Sequence, residues 1–115
     1  MTDDFPALRT ELRQGYRDLM QVIPDQMKGF GDLHRSAVKD GALNQTTKEL
    51  MAVAIAICTR CDDCITLHMH DALRAGATPE MVHEAIGVAL LMGGGPASTY
   101  ATHAIRALEQ FSAQQ

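Results

Sequence analysis

A chain of 115 residues with 46% hydrophobic and 21% charged residues has the size and composition of a single globular domain, residues 1–115, with room for a buried core. Its net charge of −4 and the lack of any basic run argue against a nucleic-acid partner. The acidic start, Met1-Thr2-Asp3-Asp4, is unlike a signal peptide, and the longest apolar run, Met51 to Cys58, is too short to span a bilayer. The expectation is a soluble cytoplasmic protein with no membrane partner.

The apolar spacing is helical from end to end. Phe5, Leu8, Leu12, Tyr16, Leu19 and Val22 recur at helical intervals and predict a first helix that stops near Pro24. A second is expected from about Asp25 to Val38 or Lys39, ended by Asp40-Gly41. Thr46-Thr47-Lys48-Glu49 has the form of a capping box, in which Glu49 reaches back to the Thr46 backbone. The third helix, Thr47 to about Cys58, is apolar on nearly every face, as for a helix buried in the core or at a subunit contact.

A fourth helix is expected from around Cys61 to Ala75-Gly76. Thr78-Pro79-Glu80 then opens a fifth that runs to about Met92. Gly93-Gly94-Gly95-Pro96 reads as a break, a hinge or a close helix contact, because a phosphate loop would end in Gly-Lys-Ser/Thr and follow a strand. A last helix covers about Ala97 to Phe111, and Ser112 to Gln115 form a frayed tail. The class is all-α, a bundle of about six helices. Many alanines and seven methionines in place of aromatics suit close helix packing.

The chemistry concentrates at Cys61-Asp62-Asp63-Cys64, with His68 four residues on and Glu49 twelve residues before. Three cysteines in a reducing compartment do not make a disulfide framework, so the Cys-x-x-Cys pair points to redox or metal chemistry. At 100° per residue, Cys64 lies about −60° and His68 about −20° from Cys61, so all three share one helix face. Cys61 in the first turn would gain thiolate character from the unpaired N–H groups and the helix dipole. Asp62 and Asp63 oppose that charge and Arg60 offsets them. Which sulfur meets an oxidant first does not follow from this geometry.

His68 can accept a thiol proton near neutral pH. If the turn at Thr59-Arg60 folds Glu49 back, its carboxylate could orient that imidazole; alternatively, Glu49 only caps its own helix. Cys58, Cys61, Cys64 and His68 together offer enough ligands for zinc, but Cys58 should lie around the turn on another helix, and no bound metal or cofactor is expected. Cys58 reads as a small core hydrophobe, and His70 and His103 as surface or packing histidines with no assigned role.

These residues resemble the alkylhydroperoxidase D-like core of the carboxymuconolactone decarboxylase family. The resemblance takes in Glu49, Cys61-x-x-Cys64, His68, the following Ala-Leu-Arg-Ala-Gly-Ala-Thr-Pro-Glu, and Met92-Gly93-Gly94-Gly95-Pro96, and so covers roughly 30–111. It implies a small all-α protomer assembled as a homo-oligomer, commonly a trimer or hexamer. It also implies a thiol peroxidase. Cys64 would attack the hydroperoxide and become a sulfenic acid, Cys61 would resolve it, and Glu49 and His68 would relay protons. An external dithiol, lipoyl-like or thioredoxin-like, or a small thiol would re-reduce the pair. The founding relay carries a second His immediately before the second Cys, where this chain has Asp63, and a carboxylate cannot fill every role of an imidazole. Two other readings belong to other classes. One is a lyase acting on a small lactone acid, which needs no cysteine pair; the other is a non-catalytic redox sensor or oligomeric binding protein.

Overall fold

The computed structural model describes residues 3–115 as five helices with no strand among them. Helix α1 spans Phe5–Val22, α2 Pro24–Val38, α3 Gln45–Cys58, α4 Asp62–Arg74 and α5 Pro79–Ser112. No helix of the described residues is long and apolar enough to cross a membrane.

Every helix except α2 begins where a short side chain accepts a hydrogen bond from a free N–H. Asp4 caps α1 through Ala7 N, and Thr78 caps α5 through Met81 N, with Pro79 in the first turn. Helices α1 and α2 are parted by Ile23 alone, whose φ of −135° and ψ of 63° leave helical space ahead of Pro24. The cap of α3 differs from the sequence expectation. Asn44, not Thr46, accepts from Thr47 N at 2.8 Å, and the Thr46 hydroxyl donates to Ala75 O at 2.6 Å. The capping box therefore does not form, which releases the Glu49 carboxylate for another partner.

Helix α3 packs chiefly on α5 and α4, and α4 packs on α5. The core between them holds Val53, Ile57, Ile65, Met69, Val82 and Phe111, with alanines at the close approaches, and Phe5 inserts from α1 with no exposed surface. Only one face of α3 is used in this way. Val53, Ala56 and Ile57 are buried, whereas Met51 and Ile55 remain exposed.

The expected fifth and sixth helices form one 34-residue element interrupted at Gly94, whose φ of 66° and ψ of −152° lie in a region open essentially to glycine alone. Pro96 follows and cannot donate the helical hydrogen bond. The break read from Gly93 to Pro96 is thus a kink between two helical limbs. Gly93 meets a different need: a Cβ there would lie 2.5 Å from Ala97 Cβ and 3.2 Å from Cys58 Sγ, so glycine lets α3 and α5 touch.

Candidate functional site

The site is built on the reversal between α3 and α4. Arg60 takes the left-handed conformation with φ of 57°, its N–H bonds Ile57 O at 3.2 Å, and Cys61 N–H bonds Ala56 O at 3.0 Å. This pair of bonds is the Schellman closure of a helix end, here made without glycine. It turns the chain within three residues and sets α4 running back along α3.

Cys61 is not inside α4 but is its N-cap. Its backbone is extended, and its sulfur accepts from Cys64 N–H at 3.2 Å. The sulfur itself therefore occupies the position where a helix offers free N–H groups and positive dipole. Cys61 and Cys64 are joined as a disulfide, with Cα atoms 5.2 Å apart. The zinc set weighed from the sequence is not assembled: the Cys61 and Cys64 sulfurs are in the disulfide, and Cys58 Sγ, at the end of α3, faces α5, 3.4 Å from Ala89 O.

One turn beyond Cys64, His68 Nδ1 lies 3.1 Å from Glu49 Oε1. The Glu49 side chain is 1% exposed and that of His68 20%. With Glu49 accepting at Nδ1, the imidazole keeps Nε2 free as its second nitrogen. Glu49 Oε2 is also buried and has no hydrogen-bond partner. A carboxylate held this deep is costly unless a positive or donating group faces it, and His68 supplies one on a single oxygen only.

Asp63 is exposed on the first turn of α4. A second imidazole reaches the site from elsewhere. His34 of α2 stacks on His68, with centroids 5.7 Å apart and planes 19° from parallel. No sequence motif marks His34; only the packing of α2 brings it there. His34 also lines a cavity of about 560 Å³ between α1, α2 and α4, with Met20, Met27, Phe30 and Leu67 as apolar walls and Arg13, Arg17 and Arg35 among its polar residues.

The sequence reading gave His103 no role beyond packing. The structure buries it at 4% exposure and pairs its Nδ1 with Asp62 Oδ1 at 2.7 Å, directly after Cys61. Tyr100 and Phe5 flank its ring. His70 pairs with Asp71 at 3.2 Å and lies edge-on to Phe111, a packing position. Arg9 stands near Asp71. Its guanidinium pKa is lowered, first by burial and then by Arg13, and Asp71 works in the opposite direction.

Comparison with known proteins identifies relatives along nearly the whole chain. The profile of the carboxymuconolactone decarboxylase family matches residues 24–107. An uncharacterised protein of Cupriavidus necator is 37% identical over 113 residues, covering 98% of this chain and 100% of the relative. The crystal structure of a carboxymuconolactone decarboxylase family protein from Legionella pneumophila superposes with a TM-score of 0.92 at 38% identity, covering 96% of this chain and 99% of that one. A Thermotoga maritima protein of the same family, with a suggested part in an antioxidative response, gives 0.83 at 29% identity over 92% of this chain and 91% of its own.

Proposed function

The chain belongs to the carboxymuconolactone decarboxylase family, and from that premise we propose that it is a thiol-dependent peroxidase that reduces hydroperoxides through a Cys61/Cys64 dithiol–disulfide cycle. The observation that carries this reading is the His68–Glu49 pair, in which His68, one turn from Cys64 on the helix that Cys61 caps, meets Glu49 of α3. Residues four apart on a helix are surface neighbours, with Cβ atoms about 6 Å apart.

In the reduced enzyme, His68 Nε2 takes the Cys64 thiol proton while Glu49 holds Nδ1–H and stabilises the imidazolium. The Cys64 thiolate attacks the outer oxygen of the hydroperoxide. The O–O bond breaks, the alkoxide takes the proton from His68, and Cys64 is left as a sulfenic acid with an alcohol released. The Cys61 sulfur then attacks Cys64, hydroxide leaves with the Cys61 proton as water, and the disulfide closes. Two thiols and one hydroperoxide have become a disulfide, an alcohol and water. An external dithiol, lipoyl-like or thioredoxin-like, or a small thiol returns the pair to the reduced state. The order of attack follows the family resemblance. Sequestering the sulfur of Cys61 at the helix N-terminus suits it to leave as a thiolate during that reduction.

The apolar wall of the cavity beside His34 suits an organic hydroperoxide. The exposed apolar residues Ile55, Val88, Leu91 and Met92 suit a homo-oligomer, in which a small chain gains buried surface by association.

The test is thiol titration and intact mass of the reduced protein before and after one equivalent of cumene hydroperoxide. Loss of two thiols and two hydrogens, absent in Cys64→Ser, is expected. Thiols that persist through long incubation would overturn the proposal.

A further inference from the structure

Beyond the cysteine pair, three side chains from three helices converge. One ligand atom each of His34 on α2, Glu49 on α3 and Asp71 on α4 lie within 4.8 Å of one another. We propose that these three residues form a site for a divalent transition-metal ion of the zinc class, bound through the free oxygen of Glu49, an imidazole nitrogen of His34 and a carboxylate oxygen of Asp71.

The second observation is the Glu49 carboxylate. It is fully buried, its Oε1 is engaged by His68, and its Oε2 has no hydrogen-bond partner. Buried polar atoms are nearly always satisfied, and an orphaned carboxylate oxygen marks a place where a donor or a cation belongs. Two carboxylates and one imidazole match the borderline preference of zinc rather than the all-oxygen preference of magnesium or calcium. A tetrahedral zinc with bonds of about 2.0–2.2 Å holds its ligands about 3.4 Å apart, so closure requires shifts of about 1.5 Å or less among side chains of which two are only half-buried. A route inward exists as well. His34 and Asp71 line a cavity of about 390 Å³ with Gln45 and Arg74, which leaves room for the water that completes a three-ligand site.

Two neighbours set limits on this site. Arg9 already shares the field of Asp71, so a weakly coordinated hard cation would have to compete with an existing charge. His70 contacts Asp71 Oδ1 and leaves Oδ2 available. An ion here would draw on the same carboxylate that orients His68. Metal binding and proton transfer would thus share Glu49, although the site stands whether or not the chain is a peroxidase.

Titration calorimetry with zinc chloride tests this on the full chain in its disulfide form, where Cys61 and Cys64 cannot chelate. One ion per chain with micromolar or tighter affinity is expected. His34→Gln and Asp71→Asn should each weaken binding at least tenfold, Cys58→Ser should leave it unchanged, and circular dichroism should show every variant folded. X-ray absorption at the zinc edge should show nitrogen and oxygen neighbours only. Absence of saturable binding, parental affinity retained in both ligand variants, or sulfur in the coordination shell would each overturn the proposal.

Discussion

His68 Nδ1 and Glu49 Oε1 meet at 3.1 Å across the α3–α4 reversal, and the carboxylate is almost completely shielded from water. Such shielding strengthens the interaction, because solvent cannot screen it. Glu49→Gln keeps the shape of the side chain and removes its charge. Since positioned proton transfer is worth about 100- to 10,000-fold, stopped-flow oxidation of the reduced variant by cumene hydroperoxide should be slowed about 100-fold or more, with helicity unchanged. A rate within threefold of the parent would remove Glu49 from the chemistry.

The two cysteines should separate by role. Cys61→Ser leaves Cys64 able to react once, so a sulfenic acid should accumulate and be captured by dimedone at one per chain. Cys64→Ser should give no adduct under the same peroxide exposure. The N-cap position of Cys61 makes the reverse order a real competitor, because its sulfur sits where the helix favours an anion. An adduct confined to Cys61 in the Cys64→Ser chain would assign first attack to that sulfur.

Much of this arrangement was legible in the residues, and the gaps have physical causes. Helical periodicity, the Pro24 stop and the Thr78-Pro79 start report local preferences, so they survive into the structure. The Thr46-x-x-Glu49 pattern also fits a local rule, yet Asn44 caps first and burial takes Glu49 toward His68. Tertiary packing outcompeted a surface capping bond. His34 carries no signal at all, since its place beside His68 depends on how α2 lies against the core. Cys61 read as a first-turn residue because helix phase cannot tell the cap from the position after it.

The Asp62–His103 bond ties the start of α4 to the second limb of α5, with the imidazole in the core. Removing Asp62 leaves the buried His103 imidazole unpaired, and removing His103 strips a partly buried carboxylate of its partner, at about 1–3 kcal/mol. Asp62→Ala and His103→Phe should each destabilise to that extent in urea unfolding. The double variant should lose less than the sum, with a coupling of about 1–2 kcal/mol. Additive losses would mean that the contact contributes nothing to the fold.

The kink at Gly94 should be sharply specific. Gly94→Ala forces a Cβ into a conformation that costs about 1–3 kcal/mol, a fall in Tm of about 4 °C per kcal/mol for a chain near this size. Gly93→Ala should also destabilise, since its Cβ would meet Ala97 at 2.5 Å. A Cβ at Gly95 meets nothing within 4 Å, so Gly95→Ala should be neutral or gain up to about 1 kcal/mol. Equal Tm values for the Gly94 and Gly95 variants would contradict the kink.

Helix α5 presents its largest exposed apolar side chains just before that kink. Leu91 is 80% and Met92 76% exposed, and Val88 lies one turn earlier on the same strip at 58%. Helix α3 adds Ile55 at 60%, on the side opposite its buried Val53 and Ile57. A soluble monomer rarely leaves such side chains clustered in water, and full burial recovers about 1.5–3 kcal/mol for each. If these faces join copies of the chain, the parent should elute as a multiple of the monomer mass in light scattering. Leu91→Glu would then place a charge in the contact and should shift it toward monomer, while the helical signal of the isolated protomer persists. A parent that is already monomeric at high micromolar concentration would sink the assembly, and these faces would then need a different partner.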